Sequence, residues 1–568
     1  MRTLDCDVLV IGSGAAGLAA AVTAAEHGLS VVVAEKAGQL GGTSAWSGGW
    51  LWIPRNPLAM AEGLREDDDA PERYLRQQTH NPQLDALQQA YLQRGPEMVE
   101  FFHSRTAVQF HSGSRMPDMR DGDGAVAGGR SLCAQPFDGR LLGAELKRMR
   151  APLDIVSLFG MGIAGGADMA AFFNSRRSPR AALHVTRRLL RHLRDCLLHG
   201  RGLHLVNGNA LVARLLRSAL DRQVELFTAS PARQLLHDQG RVHGAVLQQA
   251  QGDLRVNARR GVVLACGGFP HDRQRIAQLI AHAPNGTEHH SAAPAQNSGD
   301  GLRLGEAVGA QVAADLAHAG AWAPVSRVPR RDGSIGNFPH LVDRAKPGFI
   351  AVRRDGRRFT NEADCYHDFM NALIDATPVG EPIEAWLICD ARARWRYGIG
   401  WAKPLPFSDG HYQRCGYLHS AADAAELAAR CAIDAAALQA TLERFNRFAS
   451  QGQDPDFQRG RSTYNRAQGE VLQQPNPSLR PLRGRLYAVK LHPGSLGTFA
   501  GLRTDADARV LDASGQPIAG LFAVGNDMNS VMAGHYPSGG ITLGPAMTFG
   551  YLAGLALAGD GREEAPVH

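Results

Sequence analysis

The sequence predicts an α/β fold whose parallel sheet is assembled from distant parts of the chain. Three stretches predict it: "CDVLVIGSGAAGLAAAVTAAEHGLSVVVAEKA" (6–37), "ARRGVVLACGGFPHD" (258–272) and "GQPIAGLFAVGNDMNS" (515–530). Each holds a near-continuous apolar run, suited to a strand buried on both faces, and each run leads into a glycine turn.

The first stretch reads strand, tight turn, helix, strand, with Val8–Ile11 as the opening strand. Gly12, Gly14 and Gly17 form GxGxxG at the turn. The first glycine permits the turn, the second lets a pyrophosphate approach the backbone, and the third lets helix and strand pack closely. A pyrophosphate there would meet the N–H groups around Ala15 and Ala16, where the helix dipole favours negative charge. Glu35 closes the second strand, where an acid accepts bonds from a ribose hydroxyl, and Lys36 follows it. These features predict a dinucleotide site.

"GQLGGTSAWSGGWLWIPRN" (38–56) narrows the nucleotide. Gly41, Gly42, Thr43 and Ser44, then Ser47, Gly48 and Gly49, offer further donors along a long, extended cofactor. A nicotinamide dinucleotide does not usually need this loop; a flavin dinucleotide, FAD, does. Gly267 and Gly268 after the second stretch, and Gly525 and Asn526 after the third, border the same cofactor. The nucleotide domain is therefore expected to be a discontinuous Rossmann-type unit, residues 1–315 and 496–568. It carries a hairpin at 234–248 with its turn near Gly240, and a helical excursion near 145–200. Between its parts, residues 316–495 are less glycine-rich and include the helically spaced, Ala-rich 421–452. This block is expected to be an inserted α+β capping domain, folding over the flavin.

Composition bounds the function. The 568 residues exceed one core, and 44% hydrophobic with 20% charged residues is ordinary for a globular protein. The eight cysteines show no CxxC, which argues against zinc, attached haem or a disulfide framework, and no metal is expected. A net charge of +6 is modest, and the arginines of "RRLLRHLRDCLLHGRG" (187–202) lack interleaved aromatics, so nucleic acid is not an expected partner. That segment reads as an amphipathic helix with a solvated face; contact with a membrane surface is the alternative. No apolar run is long enough to span a bilayer, and the N-terminus reads as a strand rather than a signal peptide, so a cytoplasmic protein is expected.

The chain resembles the fumarate reductase/3-ketosteroid dehydrogenase flavoproteins. The resemblance rests on GSGAAG, GGTSAWSGG, "PGFIAVRRDGRRFTNEADCY" (347–366), "GQDPDFQRGRSTYNR" (452–466), "PGSLGTFAGLRTD" (493–505) and "YPSGGITLGPAMTFGYLAG" (536–554). It implies FAD as cofactor and, in the tail, the 3-ketosteroid dehydrogenase branch, because a fumarate reductase would carry His and Arg there. The implied reaction desaturates a ring ketone, most simply a 3-ketosteroid at its 1,2 bond. Tyr366 takes the α-proton, the Tyr536 hydroxyl and the Gly540 N–H hold the ketone oxygen, and the β-hydrogen leaves as hydride to flavin N5. A helix over Ile541–Phe549, with Ile541 and Leu543 at its start, would point its N-terminus at the flavin, and Asp300 joins the cofactor residues.

In one respect the chain departs from this pattern. Within 114–143 the steroid 1-dehydrogenases carry a tyrosine that assists the base, and here that position reads Met119. Ser538 is compatible with 4,5-desaturation, and a monocyclic ketone is a third substrate class. A fumarate- or enoate-type reductase and a flavin-binding protein without catalysis are the competing functions. The sequence specifies no electron acceptor.

Overall fold

The computed structural model describes residues 2–559; residue 1 and residues 560–568 of the expected first domain lie outside the described residues. Its central sheet has eight strands: Arg2–Ile11 (β1), Val31–Ala34 (β2), Glu225–Phe227 (β3), Ala232–Asp238 (β4), Arg241–Leu247 (β5), Leu254–Leu264 (β6), Arg509–Leu511 (β7) and Pro517–Ala523 (β8). Strands β8, β6, β1, β2 and β3 lie side by side and parallel. β4 and β5 form the expected hairpin, which pairs with the first half of β6, while the second half of β6 pairs with β8. The last strand of the chain thus lies one strand away from the first, across β6, and completes the same sheet.

β1 begins earlier than its apolar run suggests, because Arg2–Cys6 pair with Leu254–Ala258 of β6. Only its C-terminal residues Val8–Ile11 are continuously buried, and these end at the glycine turn. The helix Ala15–Glu26 (α1) follows, with ten buried residues. Gly12 has φ +116, and a Cβ there would stand 2.1 Å from the Ala265 carbonyl oxygen. This close approach seats the ends of β1 and β6 together beneath the cofactor turn, and only glycine permits it.

The excursion contains one long helix, Pro179–His199 (α2), capped by Ser178 and ended by Gly200 at φ 76. The glycine stops the helix short of residue 202, the end expected from its arginine pattern. Residues 421–452 divide into two helices, Ala424–Cys431 and Ala435–Ala449, because Ala432 is left-handed and Asp434 starts a new cap by accepting from Ala437 N–H. A second, antiparallel sheet joins Phe349–Val352, Ala385–Asp390, Leu486–Leu491 and His419–Ala421. One core beneath it is drawn wholly from residues between 350 and 488. Helix Tyr366–Ala376 (α3) packs on the other core of this half of the molecule.

The tail helix runs Leu543–Ala558 (α4) and is buried along most of its length. It starts two residues later than its apolar pattern suggests, because the backbone is still turning at Gly540, φ +108. It packs closely along α1: a Cβ at Gly550 would lie 2.5 Å from the Ala16 carbonyl oxygen. The mixed α/β architecture is therefore a nucleotide-binding sheet with helices, covered by an α+β cap.

Candidate active site

One cavity of about 1590 Å³ runs between the glycine turn of β1, the loop 42–50, the cap and the start of α4. Ligand pockets usually measure about 300–1,000 Å³, so this space suits a cofactor together with a second molecule. The expected cofactor residues line it, except Gly17, Gly41, Gly268 and Ile541. These four act from behind or elsewhere. Gly17 packs against the Gly12 carbonyl, and Gly41 N–H donates to Ser13 Oγ at 2.9 Å. Gly268 N–H donates to Asp527 Oδ1 at 2.9 Å, and Ile541 lines a separate small cavity.

The nucleotide end is built from short polar links. Ala15 N–H at the start of α1 donates to Ser44 Oγ at 3.0 Å, which ties the second glycine loop to the first. The Glu35 carboxylate accepts from Ser13 N–H at 3.1 Å, Ser13 Oγ at 2.6 Å and Ala37 N–H at 2.8 Å. A carboxylate has about four acceptor sites, so one stays open to a ribose hydroxyl. Lys36 Nζ forms an ion pair with Asp300 at 2.6 Å and donates to Ser298 Oγ, closing the rim above Glu35. Thr43 Oγ1 accepts from Asn297 Nδ2 at 2.9 Å.

The structure adds residues the motifs do not reveal. Asp527 is fully buried and accepts from both Cys266 and Gly268 N–H groups; burial pushes its carboxyl up to about 6. Arg150 lines the cavity with its guanidinium 5.0 Å over the Trp46 ring, and its buried Nε has no partner. Burial lowers its proton affinity, and Glu35 lies near enough to oppose this. An unsatisfied guanidinium beside a dinucleotide site fits a phosphate or ribose oxygen. No motif marks it, since it stands one residue from a proline in an otherwise unremarked segment. Ser13, inside GSG, was legible as a hydroxyl in the turn but not as the link between Glu35 and Gly41.

At the other end Tyr366 and Tyr536 meet edge to face, with ring centroids 4.9 Å apart at 70°. Both phenols are buried and both line the cavity. Burial pushes both hydroxyls above the usual phenol range; Tyr536 pushes Tyr366 further up, whereas the Tyr366 hydroxyl pulls Tyr536 back down. The Cys365 thiol at the cap of α3 donates to the Tyr536 carbonyl at 3.8 Å, tying the two segments. The Gly540 carbonyl accepts from Trp52 N–H at 3.1 Å and Gly544 N–H at 2.9 Å. Its N–H has no acceptor among the described residues, and Gly540 lines the cavity together with Tyr536. A Cβ on residue 540 would come within 2.5 Å of Trp52 N, so this donor can be presented only by glycine.

Met119 is buried in this region, and its Cε would lie 3.4 Å from a Cβ placed on Gly539. Arg120, next to it, is bidentate to Asp368 on α3, with Nε at 2.9 Å, so the 114–143 segment is anchored to the helix that bears Tyr366. Ser538 is fully buried, is not part of the cavity lining, and lies by Asp118.

The loop before Tyr366 is held by a buried ion network. Glu362 bonds Arg358 Nε at 2.7 Å and Arg459 at 3.1 Å, and Arg358 also bonds Asp454 at 2.9 Å. Burial opposes the Glu362 charge, but Arg358 overcomes this and holds the carboxyl below its usual range. Replacing Glu362 by Ala would leave Arg459 buried without its anion, and a loss of about 3–5 kcal/mol is expected. The check is a lowered thermal unfolding midpoint; a midpoint equal to wild type would contradict this account of the loop.

The sequence profile of the family described as FAD binding domain matches residues 7–543. The chain belongs to this flavoprotein family. FAD is its cofactor, and it is an oxidoreductase acting on CH–CH groups. The flavoprotein is 39% identical over 561 residues to the 4-oxocyclohex-2-ene-1-carboxylate 5-dehydrogenase of Sinomonas cyclohexanicum, covering 98% of this chain and 94% of that protein. It is 37% identical to the 3-oxosteroid 1-dehydrogenase of Mycobacterium tuberculosis, covering 98% and 99% respectively. Among solved structures it matches the 3-ketosteroid delta1-dehydrogenase of Sterolibacterium denitrificans in complex with 1,4-androstadiene-3,17-dione at a TM-score of 0.89 and 34% identity, covering 98% of this chain and 100% of that one. The expected resemblance to the 3-ketosteroid dehydrogenase branch therefore holds. Among the described residues no helix is long and apolar enough to cross a membrane, and no group of three or more His, Cys, Asp or Glu is placed to hold a metal ion.

Proposed function

We propose that this flavoprotein removes two hydrogens from adjacent ring carbons beside a ketone, with a 3-ketosteroid desaturated at its 1,2 bond as the leading substrate. The observation that carries the reading is the pairing of Tyr366 and Tyr536 in one cavity with the unpaired N–H of Gly540. An α-proton is weakly acidic, so its removal needs a base and a place for the enolate charge. Tyr366 takes the proton at its phenolic oxygen. Tyr536 Oη and the Gly540 N–H donate to the ketone oxygen as it becomes an enolate, an arrangement whose donors are fixed before reaction. The residues of the two glycine loops would hold FAD, which would supply the acceptor for the β-hydrogen as hydride. The cap, residues 316–495, closes over this space and excludes water.

A monocyclic keto acid is the second reading. The Sinomonas relative is named for such a substrate, and Met119, which cannot relay a proton, reshapes the wall where a steroid enzyme of this family carries tyrosine. A fumarate-type reduction is disfavoured because the tail segment 536–539 carries none of the His and Arg that the resemblance implies for a dicarboxylate. The test is a panel of ring ketones and fumarate with purified enzyme and an artificial acceptor dye, products located by NMR. Bleaching by androst-4-ene-3,17-dione with a new 1,2 double bond supports the leading reading. A yellow protein that no ketone bleaches would favour a non-catalytic flavin binder.

We also propose that the enzyme meets its apolar substrate at a membrane surface. Leu183, Leu190, Leu193 and Leu197 are exposed on one face of α2, flanked by exposed Arg187, Arg191 and Arg194. Leu189 and Val185 of the same helix line the cavity, so this face borders its mouth. Changing Leu190 and Leu197 together to Asp is expected to abolish cosedimentation with anionic vesicles while turnover of a water-soluble ketone persists. Unchanged sedimentation would remove the idea.

A further inference from the structure

A third phenol shares the reaction end of the cavity. Tyr464 is buried, lines the same space as Tyr366 and Tyr536, and its hydroxyl has no hydrogen-bond partner among the described residues. Its short helix, Thr463–Gln468, is pinned to the loop that presents Tyr366. Asn465 Nδ2 donates to Asp364 Oδ1 at 2.8 Å, and Asn361 Nδ2 donates to Asn465 Oδ1 at 2.9 Å. Ser478 Oγ holds the Asn465 carbonyl at 2.6 Å, so the placement of Tyr464 is rigid.

Resting on the reading of Tyr366 as the base, we propose that Tyr464 is a positioning residue that donates its O–H to the Tyr366 oxygen and supplies the support that Met119 cannot. In a buried cluster of phenols, ionising one discourages the rest, so one oxygen carries the charge and the others remain donors. During turnover the Tyr536 donor is engaged by the ketone oxygen, and a thioether at 119 has no proton to give. Tyr464 is the neutral phenol left to stabilise a Tyr366 phenolate. The proton step then balances: the α C–H bond breaks, its proton forms the Tyr366 O–H bond, and the C–H electron pair becomes the enolate.

The groups facing the cluster are few. Cys365, Tyr536 and Tyr464 border Tyr366; Cys365, Arg344, Asp364 and Tyr536 border Tyr464; and the His367 ring centroid lies 5.9 Å from that of Tyr536. Burial raises the Tyr464 hydroxyl, and the Arg344 guanidinium, whose own Nη2 is unpartnered, pulls the other way and makes it a better donor. Burial pushes the Asp364 carboxyl up to about 6, so near neutral pH it is still mostly charged.

The experiment follows anaerobic flavin reduction by a ring ketone across pH in holoenzyme. Tyr464→Phe is expected to slow reduction about tenfold at neutral pH and to move the alkaline rise of the profile up by about one unit, with KM little changed. Adding Met119→Tyr to that variant is expected to restore both. A profile unmoved in Tyr464→Phe, or a slowed variant that Met119→Tyr does not rescue, would overturn the proposal. Should Tyr464→Phe lose its flavin, Met119→Tyr alone decides: a profile shifted to lower pH supports the proposal, and an unmoved one overturns it. Full activity in Tyr366→Phe would instead bring down the base assignment itself, so the two failures are told apart.

Discussion

Replacing Tyr366 by Phe is expected to slow flavin reduction by a ring ketone about 10²–10⁴-fold, the usual loss when a positioned general base is removed. The ring contact with Tyr536 would remain, so flavin content and the unfolding midpoint should stay near wild type. A second signature accompanies the loss. Wild-type enzyme should exchange the substrate α-hydrogen with deuterated solvent, and the variant should not. Burial raises the Tyr366 hydroxyl above the ordinary phenol range, so the reactive ionised form is scarce at neutral pH. Below its pKa that form grows tenfold per pH unit, and wild-type flavin reduction should accelerate as pH rises. A rate flat from pH 6 to 10 would contradict the assignment.

Tyr536→Phe is expected to lower turnover about 10²–10³-fold, the typical result of losing one donor to a developing oxyanion. The Gly540 N–H remains, so activity should fall without vanishing. The ketone oxygen loses a bond that strengthens in the transition state, and the effect should therefore appear in kcat more than in KM. Phenolic ligands that mimic the enolate should lose affinity in the same variant, measured by their perturbation of the flavin absorbance. Equal affinity for such ligands in variant and wild type would place the ketone oxygen elsewhere in the cavity.

These effects depend on features of unequal legibility. GxGxxG between two apolar runs, with Glu35 after the second, reads directly because strand, turn and helix are neighbours along the chain. The same holds for the hairpin turning near Gly240, whereas the roles expected of Tyr536 and Gly540 came from the family resemblance alone. Element ends were less legible. β1 reaches back to Arg2 only because β6 pairs with it, and the break between the two helices of 421–452 turns on the backbone of Ala432. Neither property is local to an apolar pattern.

The sequence by itself determined the cofactor class and the α/β sheet built from both ends of the chain, because each is written in short contiguous patterns. The tertiary structure alone decided that Tyr464 lines one cavity with Tyr366 and Tyr536, that Arg150 lines it too, and that Ser538 lies beside Asp118 and outside it. Those outcomes follow from the packing of segments far apart in sequence. Which way a buried side chain points is settled by the partners around it, and no pattern within its own segment encodes them.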